Sequence, residues 1–140
     1  VLASPGGTPF CVLDPRPEYD ASGPVAALPP DSADVERDTR FWAELSGWRP
    51  ERTAMPSALR HPSGHGPLLE LCPQPRPKTG KNRVHLDLRL EADDVVADVL
   101  ARLHDLGGRR VVDHGWGYLP WHVCEDPSGN EVCLLPARST

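Results

Sequence analysis

A ten-residue turn-and-strand segment occurs twice in this chain, and the spacing of its two copies constrains the fold more than any other feature. The later copy is Asp126-Pro127-Ser128-Gly129-Asn130-Glu131-Val132-Cys133-Leu134-Leu135, and the earlier is Ser4-Pro5-Gly6-Gly7-Thr8-Pro9-Phe10-Cys11-Val12-Leu13. Pro, Gly, Cys and Leu coincide at positions 5 and 127, 7 and 129, 11 and 133, and 13 and 135, and Val1 matches Val123. Pro127 presets φ for a tight turn, Gly129 and Asn130 tolerate φ > 0, and Glu131 to Leu135 is a short β-prone run. A self-match at a fixed offset, here 122 residues, points to duplicated architecture.

A second self-similarity falls at half that distance. Glu44-Leu45-Ser46-Gly47-Trp48-Arg49 resembles Asp105-Leu106-Gly107-Gly108-Arg109-Arg110, 61 residues later, and Glu70-Leu71 corresponds to Cys133-Leu134 at an offset of 63. The chain therefore reads as a module of about 60 residues used repeatedly. Each module is a strand, a helix, then two or three strands.

The periodicities place these elements. Residues 15–31 hold five prolines among polar residues, a linker composition in which only Val25 to Leu28 can form a short strand before Pro29-Pro30 stops it. Asp31 or Ser32 caps a helix to about Ser46, with Val35, Phe41, Trp42 and Leu45 on its apolar side, Asp38 interrupting that side, and Gly47 as stop. A strand over Thr53–Arg60, a turn over residues 61–66 and a strand over Pro67–Cys72 follow. Val84 to Leu90 alternates apolar and polar, so His85 faces away from Val84, Leu86, Leu88 and Leu90. Val95, Val96, Val99, Leu100, Leu103 and Leu106 recur at three and four, marking a helix that Gly107-Gly108 ends. Short strands around Arg110–Asp113, Tyr118–Cys124 and Glu131–Leu135 complete the chain.

Composition removes several classes. The 140 residues fit one domain plus a tail, and the net charge of −5 opposes a nucleic-acid partner, which wants a basic stripe. No apolar run approaches the roughly 20 residues that span a bilayer, and no basic stretch precedes an apolar leader. Cys11, Cys72, Cys124 and Cys133 show no CxxC spacing, and two of them share one repeated strand position, so a reduced, cytoplasmic protein is expected. The chain opens at Val1-Leu2, inside a turn-and-strand element, so natural sequence is expected before it.

Three segments carry a resemblance: Phe41-Trp42-Ala43-Glu44-Leu45-Ser46-Gly47-Trp48, Lys81-Asn82-Arg83-Val84-His85-Leu86-Asp87-Leu88, and Asp126-Pro127-Ser128-Gly129-Asn130-Glu131. In this order and spacing the chain resembles the vicinal oxygen chelate superfamily, the group of glyoxalase I, bleomycin-resistance proteins and extradiol dioxygenases, in its glyoxalase-like domain form. The resemblance implies an α+β fold of paired βαβββ modules, at about residues 24–77 and 78–137, whose curved mixed sheets enclose a small-molecule cleft. It also implies that residues 1–14 close a preceding module of the same kind, followed by a Pro-rich linker over residues 15–30.

In metal-dependent members a first-strand His or Gln and a last-strand Glu of each module hold a divalent ion. Carried over position by position, this implies Glu70 and His85, both also candidates for acid–base catalysis, and Cys133 where the second Glu would stand. The fourth position lands near Pro24, where no ligand exists. Two good ligands plus a Cys suit a hard, oxygen-lined octahedral site poorly and favour softer metals. Beside these roles stand plainer ones: His85 as a hydrogen-bonding cleft residue, Glu70 as a solvent-facing carboxylate, and Cys133 and Cys11 as small buried hydrophobes. His61, His65, His114 and His122 show no zinc spacing. Trp116, Tyr118, Trp121 and His122 form a Gly-interrupted aromatic run that either packs in the core or walls a ligand cleft.

Three functions compete. The first is a domain that binds a small organic molecule without a complete metal site and with no cofactor. The second is a lyase or isomerase using one divalent metal (Zn, Ni, Fe or Mn) held by Glu70 and His85. The third is a structural or dimerisation module of a longer protein, pairing as a homodimer or with a second glyoxalase-like domain. No nucleic acid and no membrane partner is expected.

Overall fold

The computed structural model describes residues 1–53, 57–113 and 115–138. Strands β1 (Leu2–Ala3) and β2 (Pro9–Phe10) form an antiparallel hairpin, followed by a 3-10 turn at Pro17–Tyr19. Strands β3 (Ala27–Leu28) and β4 (Asp31–Ser32) lead into helix α1 (Val35–Ser46). Then come β5 (Arg49–Glu51), β6 (Ala58–Arg60), β7 (Leu68–Glu70) and β8 (Cys72–Pro73). The second half runs β9 (Leu86–Arg89), helix α2 (Val96–Asp105), β10 (Arg109–Arg110), β11 (His122–Glu125) and β12 (Glu131–Leu135).

The two halves share one topology. One sheet has the order β3-β7-β6-β5 and the other β9-β12-β11-β10. In each, the first strand pairs parallel with the last, and the remaining contacts are antiparallel. The fold is α+β and built from two βαβββ units, as the half-length repeat predicts.

Several local outcomes differ from the sequence reading, among them the strands expected around Arg110–Asp113 and Tyr118–Cys124, which form at Arg109–Arg110 and His122–Glu125. Pro29-Pro30 does not end the first strand: β4 pairs with β8 in the register that β3 keeps with β7. Cys72 N–H still donates to the Pro30 carbonyl (2.9 Å), but Pro30 has no N–H to return to Glu70. The Cys72 thiol, 3.6 Å from that Glu70 carbonyl, takes its place. Helix α1 starts later than expected, because Asp34 rather than Asp31 or Ser32 caps it, accepting from Arg37 N–H (3.1 Å). Of the strand expected over Thr53–Arg60, residues 54–56 lie outside the described residues, β6 forms its end, and β5 precedes it.

One core serves both modules. Phe41 and Trp42 of α1, Val99 and Leu103 of α2, Leu59, Leu69 and Leu71 from the first sheet, and Cys124, Val132 and Leu134 from the second form a single buried cluster. Each fully buried Leu or Phe contributes roughly 2 kcal/mol, so a core shared in this way couples the modules into one folding unit. Gly108 marks the closest approach. A Cβ there would lie 2.7 Å from Phe41 Cε2, 2.8 Å from the Glu125 carbonyl and 2.9 Å from Leu103 Cδ2.

Asp38, expected to interrupt the apolar side of α1, is instead fully buried and hydrogen-bonded. It accepts from Ser32 Oγ (2.6 Å), Arg37 Nε (2.8 Å) and Ser128 Oγ. Nearby, Asp126 accepts from Trp42 Nε1 (3.2 Å), Ser128 N–H (3.0 Å), Asn130 N–H (2.8 Å) and Asn130 Nδ2 (2.8 Å). These two carboxylates tie the helix of the first module to the closing turn of the second. Burial pushes the Asp126 carboxyl above the ordinary aspartate range, against the pull of its Asn130 and Trp42 hydrogen bonds.

Candidate functional site

The alternation in Val84–Leu90 decides what the second sheet presents on the face opposite the helices. Leu86 and Leu88 pack against the core, so Asp87 lies on the far face, directly opposite Cys133 in the parallel register. Val123 sits opposite Cys133 on its other side. His85, two residues before Asp87, shares that face as the alternation predicts. Ligand atoms of His85, Asp87 and Cys133 all lie within 4.8 Å of one another, and His85 Nε2 is 3.3 Å from Asp87 Oδ1. The Cys133 thiol interacts with both Asp87 and Trp121. Burial and the Asp87 charge raise the Cys133 pKa, so the group is a protonated thiol at neutral pH rather than a free nucleophile.

Aromatic residues flank this cluster. The Trp116 ring stacks over His85 with centroids 6.3 Å apart, and Lys81 Nζ lies 4.8 Å from the Trp116 ring centroid. Trp121 reaches the cluster at Cys133. The other two members of the expected aromatic wall are elsewhere. Tyr118 is 94% exposed, and His122 stands opposite Leu134, on the core side of the sheet. Burial, with Arg110 nearby, lowers the His122 pKa, and its buried Nδ1 has no hydrogen-bond partner among the described residues.

Glu70 also lies opposite the core, since Leu69 and Leu71 face the helices. It is buried rather than solvent-facing, and it is not part of the His85–Asp87–Cys133 group. The Pro-rich segment explains the burial, because it packs against the first sheet instead of running free. Tyr19 OH donates to Glu70 Oε1 (2.9 Å), Arg60 Nη2 donates to the Glu18 carbonyl (2.6 Å), and Gly66 N–H donates to the Ala21 carbonyl (3.0 Å). Burial and the Glu70 contact raise the Tyr19 pKa, which keeps the phenol a donor.

Of the remaining sequence candidates, Cys11 is exposed, so it is not the buried hydrophobe expected of it. His61 hydrogen-bonds Ser63 at the turn, His65 lies beside it, and His114 is outside the described residues. A groove of about 470 Å³ does lie between the modules, but polar residues line it, among them Asp31, Gln74, Lys78, Lys81, Asn82 and Ser128. A second, of about 530 Å³, runs between the helices past Arg37, Arg40 and Asp105.

Among the described residues, His85 and Cys133 of the expected metal set converge, and Glu70 is not in their group. The donors that do converge come from the second module alone. One imidazole, one carboxylate and one thiol suit a borderline ion such as zinc with an open position, and not the hard, octahedral ions. Asp87 was missed in the sequence although His-Leu-Asp on one strand puts both polar groups on one face. Tyr19 left no comparable signal, because the contact is made across 51 residues.

The fold has known counterparts. The chain is similar to a glyoxalase/bleomycin resistance protein/dioxygenase family enzyme from Burkholderia phytofirmans (TM-score 0.62, 13% identity, 81% of this chain and 98% of that one). It is also similar to a genomically encoded fosfomycin resistance protein from Listeria monocytogenes (TM-score 0.63, 10% identity, 83% and 92%). A glyoxalase-related enzyme from Fulvimarina pelagi gives a TM-score of 0.56 at 21% identity, covering 81% and 88%. At these identities the likeness is one of fold. No curated protein sequence matches the chain. The family model described as "glyoxalase-like domain" matches residues 27–135, from β3 to the end of β12. The chain belongs to the glyoxalase-like domain family, within the vicinal oxygen chelate superfamily.

Proposed function

We propose that this domain binds a small organic molecule against the face of the second sheet that carries His85, Asp87, Cys133 and Trp121, with Trp116 as an aromatic wall. The observation that carries the proposal is the convergence of three polar groups within 4.8 Å beside a stacked Trp, while the matching face of the first sheet is closed by Tyr19. His85 and Asp87 supply hydrogen bonds that orient a polar ligand, and the indole supplies apolar area. Similarity to proteins named for bleomycin and fosfomycin resistance supports a small-molecule ligand. Fluorescence titration with a panel of small aromatic and polar organic compounds tests this. A binder should quench Trp emission and bind about tenfold more weakly to Trp116→Ala or His85→Ala, each lost contact being worth roughly 1–1.5 kcal/mol. No response across the panel would sink the reading.

A second reading rests on the same donors. His85, Asp87 and Cys133 would hold a borderline divalent ion, which when bound supplies Lewis acidity for lyase or isomerase chemistry. Burial and Asp87 hold the Cys133 proton, so binding there must release it. In the version that uses Glu70 with His85, the Tyr19 hydroxyl already holds Glu70 Oε1. Metal analysis at neutral pH separates the readings. Stoichiometric zinc, nickel or iron lost in both His85→Ala and Cys133→Ser supports the metal, and a metal-free protein removes it.

A further inference from the structure

The opening hairpin repeats the turn of the second module's closing hairpin and the two cross-strand pairs beside it. Leu2 pairs with Phe10 and Ala3 with Pro9, while Cys124 pairs with Val132 and Glu125 with Glu131, the same register displaced by 122 residues. The turns agree as well. Gly7 N–H donates to the Ser4 carbonyl (2.8 Å) as Gly129 N–H does to Asp126 (2.9 Å). Ser4 N–H donates to the Thr8 carbonyl (2.9 Å) as Asp126 N–H does to Asn130 (2.8 Å). Thr8 N–H reaches Ser4 Oγ (3.1 Å) where Asn130 N–H reaches Asp126 Oδ1 (2.8 Å). Gly7 and Gly129 hold φ of 79° and 84°.

The surroundings do not agree. Cys124, Val132 and Leu134 are buried in the core, whereas their counterparts Leu2, Phe10 and Val12 are 55%, 47% and 77% exposed. In the second module the hairpin is inserted between the two strands of a βαβ unit: β9 lies parallel along β12, α2 covers the apolar face, and β10 lies along β11. Pro9 does not obstruct the same arrangement at β2. It stands at the position of Glu131, and pairing with β9 begins one residue later, at Val132.

We propose that residues 1–13 are the closing hairpin of a further βαβββ module, and that their apolar face and open edges take a βαβ unit of the same fold as Leu86–Arg110. The first strand of that unit runs parallel along Phe10–Leu13, its helix covers Leu2, Phe10 and Val12, and its second strand pairs with β1. The proposal is independent of any ligand or metal.

The offset supplies the test. Because Val1 matches Val123, a second copy of residues 78–122 joined directly ahead of Val1 in the full chain would rebuild a complete module around this hairpin. Hydrogen exchange at residues 2–12 should slow by about tenfold or more relative to the 140-residue chain, with added helical circular dichroism. Phe10→Asp should abolish both changes in the fusion and leave the melting temperature of the 140-residue chain unaltered. Phe10 is larger than Val132, so a second fusion carries Leu2→Cys, Phe10→Val and Val12→Leu while keeping the Ser4–Thr8 turn. Slowed exchange in either fusion supports the proposal. Unchanged exchange in both overturns it.

Discussion

The phenol of Tyr19 donates a 2.9 Å hydrogen bond to Glu70, so a residue from the Pro-rich segment occupies the carboxylate that the first module turns away from the core. Buried carboxylates lose stability when a donor is withdrawn. Tyr19→Phe should cost about 1–2 kcal/mol in urea denaturation. It should also raise the exchange rates of residues 16–22, and an unshifted midpoint would show that the contact is idle.

Asp126 holds four donors from one helix and one turn. Asp126→Ala leaves the Trp42 indole N–H and the Asn130 backbone N–H unpaired, at an expected cost of about 3 kcal/mol. Thermal unfolding followed by Trp fluorescence reads the loss. A change below about 1 kcal/mol would mean that water replaces the carboxylate, and that the turn is less sealed than its burial implies.

Lys78, on the wall of the inter-module groove, forms an ion pair of 2.8 Å with Glu131 of the same module, with side chains 22% and 11% exposed. Burial works against the Glu131 charge, but hydrogen bonds from Lys78 and from backbone N–H groups outweigh it and hold the pKa below 4.5. A depressed carboxylate pKa contributes stability that is present above the unfolded value and lost as pH falls through the folded value. Lys78→Met should therefore destabilise the protein by about 1–2 kcal/mol at pH 7. The gap should narrow below pH 4.5, leaving the share of the Lys78 bond to the Gly129 carbonyl. Paired urea titrations at several pH values check both the size and the sign.

Gly108→Ala introduces a Cβ into contacts of 2.7–2.9 Å with Phe41, Leu103 and the Glu125 carbonyl. The backbone atom cannot rotate away, so overpacking of about 1–3 kcal/mol is expected. Gly47→Ala meets no atom within 4 Å and carries only the strain of φ 70°, which makes it the control for volume against conformation.

Sequence patterning revealed what periodic burial controls. The alternation of Val84–Leu90, the three-and-four spacing of Val95–Leu106 and the repeated turn at Asp126 correspond to β9, α2 and the β11–β12 connection. Contacts that cross the chain left no such trace. Asp38 looked like a flaw in an amphipathic helix because its partner Ser128 is 90 residues away. The 15–31 segment looked like free linker because proline content reports backbone restriction and says nothing of the sheet that Tyr19 and Glu18 touch. His122 was grouped with Trp121 by adjacency, although neighbours on a strand face opposite ways.

The two sheets guard their outer strands by different means. In the first, proline interrupts both sides, Pro29 and Pro30 beside β3 and Pro50 within β5, so the donors that an incoming strand needs are missing under every solvent condition. In the second, β9 and β10 carry no proline and rely on the charges of Asp87, Arg89, Arg109 and Arg110. Charge is screened by salt. Of the two four-stranded sheets, the second is accordingly the one whose edges should drive association when ionic strength is high, while the proline-guarded edges of the first should not respond to salt.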